Sequence, residues 1–244
     1  MNKRFVVLGV LAFAVAAVAL FPARTAYNWL KPPGLQLGGV SGTIWNGTAA
    51  EGLASGMYMR DISWQLKPLS VFTGKLAFAT RFDPAAGFMD ADVAVSPAGT
   101  VYLSDIAGTI PVNLLHASVP PLRGMQGNLN LQLTSVVLED GFPTKVDGTV
   151  SLSGLSAAAL SPSPIGNYEA NFTSDERGVR GIVRDVGGVL AVTGELQLTP
   201  QRAYSLIGQV GLRPDTPATL SRQIEMLGSA DAQGMREFRI EGQL

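Results

Sequence analysis

The chain has no cysteine and a single histidine among its 244 residues. Without thiols an exported protein has no disulfide framework and no Cys-ligated metal, and one imidazole leaves few borderline ligands for zinc. Charge is scarce as well: Asp, Glu, Lys and Arg make up 15% of the residues and the formal net charge is −1. There is no basic field to gather nucleic acid and no acidic tail, so a nucleic-acid partner is not expected. Catalytic motifs are also missing. No Gly-x-Ser-x-Gly elbow, no His-Glu-x-x-His pair and no glycine-rich phosphate loop followed by Lys occurs. His116 lies between Leu115 and Ala117 with no carboxylate near it in sequence, and reads as a partly buried structural side chain. Asp90 and Asp92 are spaced to share one strand face, where a hard cation is one reading and the solvated half of a strand the favoured one. Neither an enzymatic activity nor a cofactor or metal is expected.

What the chain does have is one long apolar run, Phe5 to Phe21, with Lys3 and Arg4 before it. At ~1.5 Å per residue a helix over this run is ~25 Å long, against a hydrocarbon core of ~30 Å. Ala23, Ala26 and the ring of Tyr27 extend it by a turn, and Tyr27 and Trp29 fall where an interfacial aromatic belt would sit. A cleaved secretory signal shares these features, but the residues around Phe21-Pro22-Ala23 and Arg24-Thr25-Ala26 make poor small-x-small cleavage sites. The favoured reading is a retained anchor over 5–26 behind a cytoplasmic tail, 1–4. Residues 27–36, with Lys31-Pro32-Pro33-Gly34, form a short stiff spacer, because consecutive prolines end a helix. Residues 37–244 then lie on the far side of the membrane.

In that region the apolar period becomes two. Ile62, Trp64 and Leu66 alternate with Asp61, Ser63, Gln65 and Lys67; Leu129, Leu131 and Leu133 alternate with Asn128, Asn130, Gln132 and Thr134. The pattern returns at Leu76 to Phe82, Val150 and Leu152, Leu190 to Leu198, Tyr204 to Leu212, and Phe238 with Ile240. Strands with one dry face predict antiparallel sheet, with Gly141, Gly148, Gly154, Gly187 and Gly188 supplying turns. The one strong helix signal starts at Thr216, with Pro217 first in the helix, Leu220, Ile224 and Leu227 on one face and Gly228 past its end. Weaker helical turns are expected at Pro111 to Ser118 and Leu155 to Leu160, each after a Gly-Thr-[Ile/Val] segment, a hint of two similar halves. The expected fold is therefore mainly β: a single N-terminal transmembrane helix, then a large antiparallel sheet domain, curved or layered, with one or two short helices.

The conspicuous side chains are large and apolar. Trp45 stands in Ser41-Gly42-Thr43-Ile44-Trp45-Asn46-Gly47, where Gly42 and Gly47 let strands begin and end sharply, and Trp64 follows nineteen residues later. Both tryptophans are candidates for the sheet's core or for a partner-binding surface. The stretch SGTIWNG (41–47), then DISWQLKPLSVFTGKL (61–76), and finally LGSADAQGMREFRIEGQL (227–244) after the Pro217 helix resemble the N protein family of the bacterial type II secretion system. The joint order of these modest motifs carries the resemblance; residues from about 84 to 187 show only generic alternation. It implies a single-pass inner-membrane protein with a cytoplasmic N-terminus and a periplasmic β-rich domain. Such a protein is a non-enzymatic structural accessory of the apparatus that moves folded proteins across the outer membrane, and its partners are other components of that machine. A second reading comes from the sheet itself: a long sheet with one apolar face can shelter lipid, as AsmA-like or bridge-type lipid carriers do.

Overall fold

The computed structural model describes residues 3–31, 34–54, 57–84, 87–116, 122–161 and 163–243. The Pro32-Pro33 pair of the expected spacer and the end of the turn expected at Pro111 to Ser118 fall outside them. Helix α1 (Lys3–Ala19) is 17 residues long, and its apolar side chains, Phe5, Leu8, Leu11 and Phe13 among them, are exposed. Among the described residues no helix is long and apolar enough to cross a membrane. The helical run expected to continue through Ala26 is divided in two. Pro22 is extended (φ −68°, ψ 131°), because its ring would collide with the carbonyl of Val18 and it has no N–H to donate. A separate helix α2 (Ala23–Leu30) follows, ending at Lys31 in the left-handed conformation, so the first four residues of the expected spacer are helical and Leu35 and Gln36 at its end already belong to a strand.

All strands belong to one antiparallel sheet. They are β1 (Leu35–Gly38), β2 (Ser41–Gly42), β3 (Asn46–Ala54), β4 (Met57–Leu66), β5 (Leu76–Pro84), β6 (Phe88–Val95) and β7 (Val101–Pro111). They continue with β8 (Met125–Glu139), β9 (Phe142–Ala157), β10 (Gly166–Asp175), β11 (Gly178–Gly188), β12 (Leu190–Leu198), β13 (Ala203–Leu212) and β14 (Met235–Gln243). Strand order follows chain order from β1 and β3 to β14, with β2 paired to β3 beside the main path. Short hairpins explain this order: Asp140 (φ 50°) and Gly141 (φ 77°) turn β8 into β9 in two residues, the geometry that matches strand twist. The expectation of a curved or layered sheet resolves to a single sheet, with no second sheet among the described residues.

Two rows of cross-strand partners show the division of labour between the faces. Met89, Gly108, Leu131, Val150, Ala170, Val183, Gly194, Gly208 and Phe238 oppose one another in turn from β6 to β14 without a charged member. One residue along, on the other face, run Asp90, Ala107, Gln132, Thr149, Asn171, Ile182, Glu195, Ile207 and Arg239. This second face carries cross-strand ion pairs such as Arg180–Glu195 and Arg184–Glu169, solvent-exposed contacts that water and salt screen and that add little to stability. On the apolar face, four glycines lie directly beneath a partner ring: Gly47 under Trp64, Gly181 under Phe172, Gly208 under Phe238 and Gly242 under Tyr204. A Cβ at Gly181 would stand 2.6 Å from the Phe172 ring, so these positions admit only glycine unless the ring moves.

Two small cores stud the apolar face. Met89, Ile106, Ile110 and Val136 form one, with Leu115 of a 3-10 turn (Val112–Leu115) packed on it. Ala157, Ile165, Leu190 and Val210 form the other with Leu220 of helix α3 (Ala218–Glu225). Helix α3 begins at Ala218, one residue later than expected, and Thr216 does not cap it. Its hydroxyl instead donates to Val189 O (2.5 Å) and accepts the Arg213 N–H (2.9 Å), bracing the strand end before the helix. Gly148 and Gly154, expected as turns, sit inside β9 at positive φ, where the β8–β9 register shifts. Leu155 to Ala157 likewise finish β9, and only Leu160 and Ser161 turn back to Ala157 O. The Gly-Thr-[Ile/Val] echo has a counterpart in the sheet: Thr109 bonds Asn130 (2.8 Å) and Thr149 bonds Asn171 (2.7 Å), each across to the next strand.

Candidate functional site

The 41–47 stretch forms the joint between the helices and the sheet. Gly42 pairs with Gly47 across β2 and β3, and its φ of 81° together with an Asn46 O only 2.5 Å from any Cβ placed there excludes larger residues. The turn between them closes on itself: Thr43 N–H donates to Asn46 O (2.8 Å), and Asn46 N–H donates to the Thr43 hydroxyl (3.1 Å). This tight loop projects Ile44 and Trp45 towards the end of α1.

There the i→i−4 ladder of α1 runs out, and Val18 O is left with a long bond from the Phe21 N–H (3.3 Å). The indole N–H of Trp45 donates to Val18 O (2.8 Å), the Ile44 N–H donates to Phe21 O (3.0 Å), and Pro22 bridges Thr43. Trp45 also faces the sheet, its own carbonyl accepting the Leu66 N–H of β4 (2.6 Å). Helix α2 is fixed from its other end, where the Tyr27 hydroxyl accepts the Leu37 N–H (2.9 Å) and donates to Leu35 O (3.3 Å). These are backbone groups of the edge strand β1, so Tyr27 covers an edge that would otherwise invite strand pairing. On the outer side Phe21 and Trp29 pack ring to ring (5.5 Å between centroids), with Trp29 largely exposed. A hydrogen-bonded elbow thus joins α1 and α2 to the sheet.

The four candidate residues are therefore neighbours with different tasks. Trp64 is half-buried over Gly47 on the apolar face, in keeping with a core role; Gly42 and Gly47 shape the joint; Trp45, also half-buried, is the tie between α1 and β4. Asp90 and Asp92 share a face, but each is taken by a cation, Arg81 and Lys67 respectively. His116 is half-buried with Nε2 2.9 Å from Met125 O.

Two carboxylates escaped the sequence reading because most of their partners lie on other strands. Burial pushes the Asp147 carboxyl up, but Lys145, the Ser135 hydroxyl and the Ser174 N–H outweigh it and hold the group below its usual range. Burial likewise pushes Asp185 up, and the Val192 N–H (2.8 Å) and Arg213 hold it down. Both pin bends of the sheet by bonding backbone N–H groups. Only the excess of polar residues at otherwise apolar positions hints at them in sequence.

The sequence model of the family described as "Type II secretion system (T2SS), protein N" matches residues 33–239. Three curated relatives carry the name Type II secretion system protein N. That of Vibrio cholerae serotype O1 is 28% identical over 257 residues, covering 99% of this chain and 100% of the relative. That of Aeromonas hydrophila is 26% identical, covering 87% and 86%. That of Pectobacterium carotovorum subsp. carotovorum is 23% identical, covering 96% and 94%. No solved structure gives a significant match.

Proposed function

Because the chain belongs to the type II secretion system protein N family, an accessory component of that protein-secretion machinery, we propose that it acts without catalysis, as a scaffold held at the inner membrane. In this reading α1 lies in the bilayer with its N-terminus in the cytoplasm, and the sheet stands in the periplasm to bind other components of the apparatus. The observation that carries it is the elbow. An apolar helix with exposed side chains is joined to the sheet by hydrogen bonds from Trp45, Ile44 and Tyr27, an arrangement suited to presenting the sheet at a fixed attitude. At ~25 Å the helix is shorter than the ~30 Å hydrocarbon core, a mismatch that local thinning and the flanking Phe21 and Trp29 rings accommodate. Anchoring concentrates the sheet beside other membrane-held partners.

The test is complementation of a strain lacking the chain. Full-length protein restores release of a type II substrate, and a version whose first 20 residues are replaced by a cleavable leader does not. Equal rescue by the two would remove anchoring from the function; unimpaired secretion in the deleted strain would remove the scaffold role.

A further inference from the structure

We propose that the apolar face of the sheet holds the acyl chains of bilayer phospholipids. The surface area gives the first reason. The chain exposes 14,876 Å², whereas a compact monomer of this mass exposes about 10,400 Å². The row through Leu131, Val150, Ala170 and Val183 is only half-buried. The 3-10 turn roofs it at β7 and β8, and α3 roofs it at β13; no second layer covers it among the described residues.

The chemistry of the face selects the occupant. Its nine-strand row carries no charge, with Asp185 and Arg236 the charged residues flanking it on β11 and β14, and from β7 to β13 the backbone N–H and C=O groups are spent in ladders to both sides, β14 being paired on one side. An acyl chain needs no polar partner and loses none on such a surface. An extended peptide would bring its own backbone groups to a place with nothing to pair them, at a cost of ~1–3 kcal/mol per group. At the β14 end the face deepens into a hollow lined by Val192, Val210, Phe238 and Ile240 and by Ile224 and Leu227 of the α3 region, with the charged Glu237 and Arg239 of β14 also bordering it. Ile240 and Leu227 remain 52% and 46% exposed there.

The source of the lipid is placed by the elbow. Trp45, which holds the end of α1, precedes by two residues the Gly47 on which Trp64 lies, so the apolar helix ends where the apolar face begins. This part of the proposal rests on α1 lying in the bilayer.

The test is a photocrosslinking scan of the full chain in membranes whose phospholipids are labelled with radioactive phosphate. Benzoylphenylalanine is placed singly at Leu131 on the apolar face, at Gln132 on the polar face and at Phe13 in α1, with Val150 as a substitute where the Leu131 variant loses protease resistance. The proposal expects labelled lipid adducts at Leu131 at least tenfold above those at Gln132. Equal labelling at the two, no lipid at Leu131, or only protein adducts there overturns it. Lipid at Phe13 without lipid at Leu131 sinks this proposal and leaves anchoring standing; no lipid at Phe13 sinks the anchoring itself.

Discussion

Replacing Gly181 with Ala tests the physical account of the sheet most sharply. The new Cβ would lie 2.6 Å from Cε1, 2.9 Å from Cδ1 and 3.4 Å from Cζ of Phe172, so its three nearest neighbours all belong to that one ring. Contacts this short force the ring off its site, an overpacking cost of ~1–3 kcal/mol. For a domain of this size ~2 kcal/mol lowers Tm by about 4–8 °C. In a Phe172→Ala background the obstruction is gone, and Ala at 181 gains the modest advantage it has over Gly in a strand. The expected coupling in a double-mutant cycle is therefore at least 1 kcal/mol, well above the ~0.3–0.5 kcal/mol scatter of independent sites. Chemical denaturation of the four proteins measures it. Equal destabilisation by Gly181→Ala in both backgrounds would refute the claim that the ring dictates the glycine.

Two further outcomes follow from the joint and from the carboxylates. Trp45→Phe keeps an aromatic side chain, smaller than the indole, but removes the donor to Val18 O; it costs ~1 kcal/mol and speeds protease cleavage around residues 20–22 severalfold, whereas unchanged cleavage would mean the indole bond does not fasten the elbow. Asp147 and Asp185 have depressed folded-state pKa values, so their contribution is present above the unfolded value near 3.8 and is lost as pH falls through the folded one. Stability should decline below about pH 4 and decline less steeply in Asp185→Asn, measured by denaturation midpoints across pH 2 to 6; parallel profiles would refute it.

The period-two pattern made the β architecture readable, since Trp64, Leu66, Leu129, Leu131 and Leu133 do fall on the apolar face and their neighbours on the polar one. What it did not reveal was register. That Phe172 lies over Gly181, or Trp64 over Gly47, depends on which residues oppose each other, and glycine is read as a turn signal before it is read as room for a ring. Gly148 and Gly154 were misplaced for that reason: positive φ serves a bulge as well as a turn. The division of the N-terminal helix was signalled by Pro22, yet the surrounding apolar residues outweighed it. Trp45 stood out in sequence, but its partner, Val18 O, is a backbone atom 27 residues away, and no side-chain pattern announces a carbonyl.

We propose that this chain acts as a membrane-held binding component of the secretion apparatus. The most direct test of this role is chemical crosslinking of the full-length protein in intact cells actively secreting a type II substrate, followed by mass spectrometry of the adducts. The account predicts crosslinks from lysines and carboxylates of the sheet to other components of that apparatus, reduced when α1 is replaced by a cleavable leader. A chain crosslinked to none of them during active secretion would contradict it.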